Sequence, residues 1–188
     1  FQTGGMSGVV GETNRRNAVR AMARAASLRP ADARLQMDAG NVALYACRMQ
    51  TAGVTAEDWR LPYRVAVLRE PGMAKNIADT LTLNLGPSGT REIKSILSQD
   101  SGSYLCAASF LLSRNDWKIG RELMHEGERL RQAEIAKLWS MLKDIGPWSD
   151  MSENRELREL IVLDRNHPGV LLLRGDLPGA LKQIDRRG

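Results

Sequence analysis

The sequence contains few of the residues on which catalytic and disulfide-stabilised proteins depend. It has two cysteines and two histidines in 188 residues. Cys47 and Cys106 lie in apolar runs (ALYACRM and YLCAASFLL), which favours reduced, buried thiols and a cytoplasmic protein. Two histidines give little support for acid–base catalysis at neutral pH. The sequence therefore predicts a protein that is not an enzyme and that holds no cofactor.

Long apolar runs and alternating β-branched residues are also missing. A membrane-spanning helix needs about 20 mostly apolar residues, and no run in this chain approaches that length. The period-two alternation typical of strands is almost absent. We therefore expect an all-α protein of about seven to nine helices, located in the cytoplasm and without membrane contact.

The longest helical pattern runs over about 115–146, and we expect the chain to pack around it. Asn115 or Asp116 can cap its start, and Gly146 followed by a proline ends it. Leu130 and Leu138 recur at helical spacing on one side, with charges on the others. The pattern predicts that both leucines are buried.

Glycine and proline divide the rest of the chain. Residues 1–12 carry four glycines and no apolar period, which predicts a mobile arm; residues 1–5 (FQTGG) are typical of a protease-site remnant. Residues 13–146 are predicted as the helical core domain, with a helix starting at Thr13 and a break at Gly40. Residues 147–188 are predicted as a C-terminal helix and an arm jointed by proline and glycine.

The formal net charge is +5, and it is unevenly distributed. Residues 1–120 hold 15 Lys/Arg and 10 Asp/Glu, whereas residues 121–188 hold 12 of each. A basic first part indicates a polyanionic partner. The alternative is that so small an excess only aids solubility.

Arginines at one helical spacing carry this hypothesis. Arg16, Arg20 and Arg24 form one stripe, and no acid follows Thr13 on the predicted helix to relieve their repulsion. Carboxylates elsewhere in the fold would offset that repulsion, and so would phosphates; a solvated face is the alternative. The candidate phosphate contacts are Arg15, Arg16, Arg20, Arg24, Arg29 and Arg34, extended by Arg48, Arg60, Arg64, Arg69 and Lys75 if the fold brings them onto one face.

Three aromatic residues lie among these cations. Tyr45, Trp59 and Tyr63 are candidates for stacking on unpaired bases. Their helical spacing favours a core role for each of them instead.

Other motifs give weaker signals. Glu122 and His125 match the Glu-x-x-His spacing of di-iron bundles, but the only other histidine, His167, has no glutamate three residues before it, so no metal site is predicted. The turn 86–90 lacks the lysine of a phosphate-binding loop. Residues 90–113 have a helix-turn-helix outline, but the second helix is apolar and is suited to a core rather than to base edges.

The C-terminal arm carries four consecutive apolar residues: Val170, Leu171, Leu172 and Leu173. Each contributes about 1.5–3 kcal/mol when buried, so the run must pack on something. It either folds back on its own domain or enters a groove on a neighbouring subunit, and the second arrangement would assemble identical chains.

This plan of a mobile arm, a basic helical core and a jointed apolar arm resembles that of helical nucleocapsid proteins. The resemblance implies a self-assembling viral nucleoprotein that binds single-stranded RNA without sequence specificity. The alternatives are a helical protein–protein adaptor, such as a bacterial effector or regulatory domain, and an enzyme whose site is assembled only in the fold. One continuous basic face would favour the RNA-binding nucleoprotein, whereas scattered arginines would favour the adaptor.

Overall fold

The structure is a computed structural model that describes residues 4–142, 155–173, 179–180, 182–183 and 186. These residues form helices and no strand, which confirms the predicted all-α class. None of the described helices has the length and apolar character needed to cross a membrane. The helices are α1 (Gly4–Leu28), α2 (Ala33–Arg48), α3 (Glu57–Arg69), α4 (Met73–Leu85), α5 (Pro87–Ile96), α6 (Ser101–Ser113), α7 (Trp117–Leu142), α8 (Arg155–Asp164) and α9 (Pro168–Leu173).

Aspartates fix where α2 and α6 begin. The Oδ1 atom of Asp32 accepts a hydrogen bond from the backbone N–H of Leu35 at 3.0 Å. In the same way Asp100 accepts one from the N–H of Ser103 at 2.8 Å. Each bond satisfies a backbone donor that the first turn of a helix leaves without a partner.

Helix α1 begins at Gly4, nine residues before the predicted start at Thr13. The longer helix places Glu12 on α1, and its carboxylate accepts hydrogen bonds from Arg16 and from the N–H of Ala52, both at 3.1 Å. Residues 4–12 are therefore helical, although the glycines of this segment predicted a mobile arm.

The chain divides into two compact units, Phe1–Gly127 and Glu128–Gly188. The boundary lies inside α7 and not at the turn predicted near 146–147, which falls outside the described residues. In the first unit the fully buried large side chains come mainly from α2 to α6, and α7 adds Leu123. The core of this unit thus centres on α2 to α6 rather than on α7. Leu130 is only partly buried, because most faces of α7 carry charged residues.

Gly40 allows α2 and α3 to pack closely in the first unit. A Cβ atom on Gly40 would lie 2.4 Å from two ring atoms of Tyr63, so α2 can cross α3 at this point only with glycine. The helix runs through Gly40 without the predicted break. The Tyr63 hydroxyl donates to Oδ1 of Asn41 at 2.8 Å, and burial raises the pKa of that hydroxyl, which keeps it a donor.

Helices α4 and α5 are joined by Gly86 alone. Its φ of 56° and ψ of −137° lie in a region essentially restricted to glycine. Pro87 then occupies the first position of α5, where its missing N–H costs nothing. The expected turn over 86–90 is therefore a single-residue joint followed at once by a helix. At Gly89 a Cβ atom would lie 2.1 Å from the carbonyl oxygen of Leu81.

The second unit has a small core of its own. Ile135, Leu160 and Val170 are buried together, and Leu138 is partly buried against them. The predicted burial of Leu138 is therefore only partial. Leu171 is partly buried, and the side chains of Leu172 and Leu173 lie outside the described residues.

Candidate nucleic-acid interface

The candidate cations differ in what their side chains already bind. Arg60 on α3 makes the strongest internal contact: its Nε and Nη2 atoms donate to the Glu92 carboxylate on α5 at 2.7–3.0 Å. Its Nη1 donates to Glu57 at 2.9 Å, and the hydrogen bonds that Arg60 donates to Glu57 and Glu92 raise the pKa of the guanidinium. Arg64 donates to the carbonyl oxygen of Ser95 at 2.8 Å. These two arginines join α3 to α5.

Arg15 and Arg16 join α1 to the segment that follows α2. Nε of Arg15 donates to Oγ1 of Thr51, and Nε of Arg16 donates to the carbonyl oxygen of Ala52, each at 3.0 Å. Arg16 also pairs with Glu12 at 3.1 Å. The predicted arginine stripe therefore has an acid on its own helix, and its first member is neutralised within the fold.

Four further candidates, Arg20, Arg24, Arg29 and Arg34, are exposed, and their side chains make no hydrogen bond or ion pair within the described part of the chain. Arg20 and Arg24 lie one helical turn apart on α1, Arg29 follows its last residue, and Arg34 is the second residue of α2. The one acid in this stretch, Asp32, caps α2. Cations at the end of α1 are also favoured by the helix dipole. We call Arg20, Arg24, Arg29 and Arg34 the α1–α2 basic surface.

The other cations do not continue this surface. Arg48 lies at the opposite end of α2 from Arg34, about 21 Å away at 1.5 Å per residue, and it donates to Oδ1 of Asn84 at 2.6 Å. Arg69 and Lys75 flank the turn between α3 and α4 and are exposed. The predicted single patch thus separates into groups, of which the α1–α2 basic surface is the largest whose side chains have no hydrogen-bond or ion-pair partner among the residues that the structure describes.

A groove adjoins this surface. It has a volume of about 420 Å³ and is lined by α1 and by the segment after α2. Arg20 lines one side, together with Val19 and Ala23, and Asp58 lies on the other side. The Asp58 carboxylate accepts hydrogen bonds from the N–H and the hydroxyl of Thr55, at 2.6 and 2.9 Å, so its charge is partly satisfied.

The three aromatic candidates have different environments. Trp59 and Tyr63 are 3% and 0% exposed and pack edge to face, with ring centroids 5.9 Å apart. Neither ring is accessible to a base. Tyr45 was expected on the buried side of α2, but it is 53% exposed, because the inner face of α2 is occupied by smaller residues such as Ala43. Only Tyr45 of the three remains a candidate for stacking.

A second group of cations lies on α5 and α7. These cations are not among the phosphate contacts predicted from the sequence. Arg91, Lys94, Lys118 and Arg121 are all exposed, and so is Trp117 at 53%. The sequence does contain a signal for Trp117. It precedes Leu123 by six residues, which places it about 120° around the helix from the apolar side.

Glu122 and His125 do not form a metal site in the described residues. Nζ of Lys94 donates to Glu122 at 2.5 Å, and this hydrogen bond, followed by the charges of Lys94 and Lys118, lowers the pKa of Glu122. No cluster of three metal-ligating carboxylate, imidazole or thiol groups occurs in the part of the chain that the structure describes.

Comparisons of this chain with protein-family models, curated proteins and solved structures give no match.

Proposed function

We propose that the chain is a non-enzymatic protein that binds single-stranded RNA without sequence specificity through the α1–α2 basic surface. The observation that carries the proposal is that Arg20, Arg24, Arg29 and Arg34, which follow one another along the end of α1 and the start of α2, are all exposed and have no hydrogen-bond or ion-pair partner among the described residues. Guanidinium groups bind phosphate through paired N–H donors, and such contacts carry no sequence information.

Salt dependence follows from this arrangement. Each phosphate contact on a single strand releases condensed counterions and contributes about 0.7 to the slope of log affinity against log salt. Four contacts therefore give a slope of about −2.8, and affinity should fall roughly 50-fold between 50 and 200 mM salt. Unmodified protein should show this loss in fluorescence anisotropy, with similar affinity for oligouridine and oligoadenosine of equal length. An absence of RNA binding at 50 mM salt would refute the proposal.

Self-assembly is the second part of the proposal, which makes the protein nucleocapsid-like and places it in the cytoplasm or in a virion. Val170 on α9 packs against Ile135 and Leu160. Exchange of α9 between identical chains would preserve this contact and link them. The support is that an apolar helix follows a turn at 165–167, where the chain can change direction without breaking α8.

Truncation after Asp164 tests the exchange. If α9 links chains, light scattering of full-length protein should show oligomers that the truncated chain does not form. The melting temperature of the full-length protein should also rise with concentration. Monomers at every concentration, with and without RNA, would rule the exchange out, and truncation would then only lower the melting temperature.

A protein–protein adaptor, such as a bacterial effector or regulatory domain, is the second candidate. Leu61 and Leu68 on α3 are 60% and 66% exposed, and Leu83 on α4 is 71% exposed. Exposed leucines and cations in separate groups both favour this function. Partner binding that persists at high salt and is lost on replacing Leu61 and Leu68 with serine would support the adaptor over the RNA-binding protein.

A further inference from the structure

Trp117 is an unusual residue to leave at the surface. It is the first residue of α7, and it is 53% exposed. The Cζ atom of Arg121, one turn later, lies 5.9 Å from the centroid of the indole ring. A guanidinium over one part of an indole is a cation–π contact, and it holds the ring in place while leaving much of its surface open.

A groove with three cations in its lining opens near the start of α7; Asp116 and Lys118, the neighbours of Trp117 in the chain, line it, and Trp117 itself does not. The groove has a volume of about 370 Å³, runs between α5 and α7, and is lined by Arg91, Lys94, Lys118, Asp116, Ile119, Glu122 and Pro87. Lys94 and Glu122 neutralise each other at 2.5 Å. Asp116 accepts a hydrogen bond from the N–H of Ile119 at 3.4 Å. Arg91 and Lys118 remain as cations without a hydrogen bond or ion pair to the described residues.

We infer that Trp117 and Arg121 form a base-stacking platform, and that Arg91 and Lys118 contact the phosphates on either side of the stacked base. The inference rests on the proposed function and goes beyond it, because it adds a second surface to the α1–α2 basic surface and names an unpaired nucleobase as the group recognised there. Single-stranded nucleic acid combines what this surface accepts, a flat π face together with closely spaced negative charge. A phosphorylated peptide offers the charge without a base beside it.

Base stacking and phosphate contacts predict different changes in affinity for an oligomer with bases and for one without bases. A stacked base loses its partner when Trp117 is replaced by alanine, which should weaken binding of a short oligouridine about 5- to 150-fold. An abasic oligomer has the same phosphates and no base, so its affinity should not change. These two contacts would add about 1.4 to the slope of about 2.8 expected from the α1–α2 basic surface alone. Arg91→Gln with Lys118→Gln should remove that increment and weaken binding of both oligomers.

The experiment measures the affinity of the full chain for oligouridine and for the abasic oligomer by fluorescence anisotropy at low salt. Trp117→Ala is compared with Trp117→Phe, which keeps a smaller stacking ring and should retain most of the affinity. Leu68→Ala is the matched control for loss of an exposed apolar side chain on another helix. Arg114→Gln is the control for the cations, because Arg114 already pairs with Asp79 at 3.1 Å. Circular dichroism establishes that each variant is folded.

Selective loss of oligouridine affinity in Trp117→Ala, with recovery in Trp117→Phe, is the expected result. Equal loss for both oligomers, or no loss for either, would overturn the platform while leaving the proposed RNA binding intact. If unmodified protein binds neither oligomer, the proposed function fails, and the platform fails with it. Tryptophan emission gives a second reading, since quenching by oligouridine should disappear in Trp117→Phe.

Discussion

Replacement of Gly89 by alanine is expected to destabilise the first unit more than any other single methyl group added to the described glycines. The new Cβ atom would lie 2.1 Å from the carbonyl oxygen and 2.6 Å from the carbonyl carbon of Leu81. Both are backbone atoms of α4, and Leu81 is fully buried, so α5 must move away as a whole. The neighbouring joint at Gly86 joins the two helices through one residue and leaves little slack for that movement.

The sign of the effect depends on two opposing terms. Overpacking costs about 3 kcal/mol at the upper end of its usual range. Alanine is better than glycine inside a helix by about 1 kcal/mol. The net loss of about 2 kcal/mol corresponds to a fall of roughly 4–8 °C in melting temperature for a chain of this size, measurable by circular dichroism or calorimetry.

Gly72→Ala is the matched control. Gly72 has φ −59° and ψ −24°, which alanine adopts readily, and a Cβ atom there would meet nothing within 4 Å. The same methyl group should therefore raise stability by about 0.4–1 kcal/mol. Equal melting temperatures for Gly89→Ala and Gly72→Ala would show that α4 and α5 do not pack as closely as the structure has them.

These glycines also show why the sequence predicted the class of the fold but not its packing. Apolar residues at helical spacing are a local pattern, and they predicted helices over most of the chain. The role of glycine is not local. Gly40 reads as a helix break, yet its meaning is set by the Tyr63 ring on another helix. The sequence likewise predicts a turn at Gly89, because its close approach to the Leu81 carbonyl oxygen on α4 is not visible in the local pattern.

The candidate site was limited in the same way. Composition and spacing located the arginines, but they gave no information on which guanidinium groups would form hydrogen bonds or ion pairs within the folded chain. The contact between Arg60 and Glu92 joins residues 32 positions apart, and no pattern in the sequence links them. Tyr45 lies in the apolar run ALYAC and is 53% exposed, whereas Tyr63 lies between a proline and an arginine and is fully buried. The immediate neighbours in the sequence therefore do not indicate which ring is buried.

The sharpest test of the proposed function compares RNA binding after loss of arginines that have no partner in the described residues with RNA binding after loss of arginines that have one. Arg20→Gln, Arg24→Gln and Arg34→Gln together should weaken binding to any single-stranded RNA roughly 10- to 150-fold, at about 0.5–1 kcal/mol for each exposed charge contact. The salt slope should fall by about 2. Glutamine keeps the helix propensity of arginine, so the melting temperature should hold, and the ratio of affinities for oligouridine and oligoadenosine should stay the same.

The control variant removes three cations that already donate hydrogen bonds to other groups of the protein. Arg48, Arg64 and Arg114 are hydrogen-bonded to Asn84, to the Ser95 carbonyl oxygen and to Asp79, respectively. The triple glutamine variant of these residues has the same net charge as the first variant.

A general Coulomb attraction would therefore weaken RNA binding by both variants equally, whereas loss of direct phosphate contacts would weaken binding only by the first variant. Because a guanidinium held by the protein must break its own bond before it binds phosphate, we expect the control to keep most of the affinity and nearly all of the salt slope. Equal losses would mean that RNA responds to net charge alone and that the α1–α2 basic surface is not the interface.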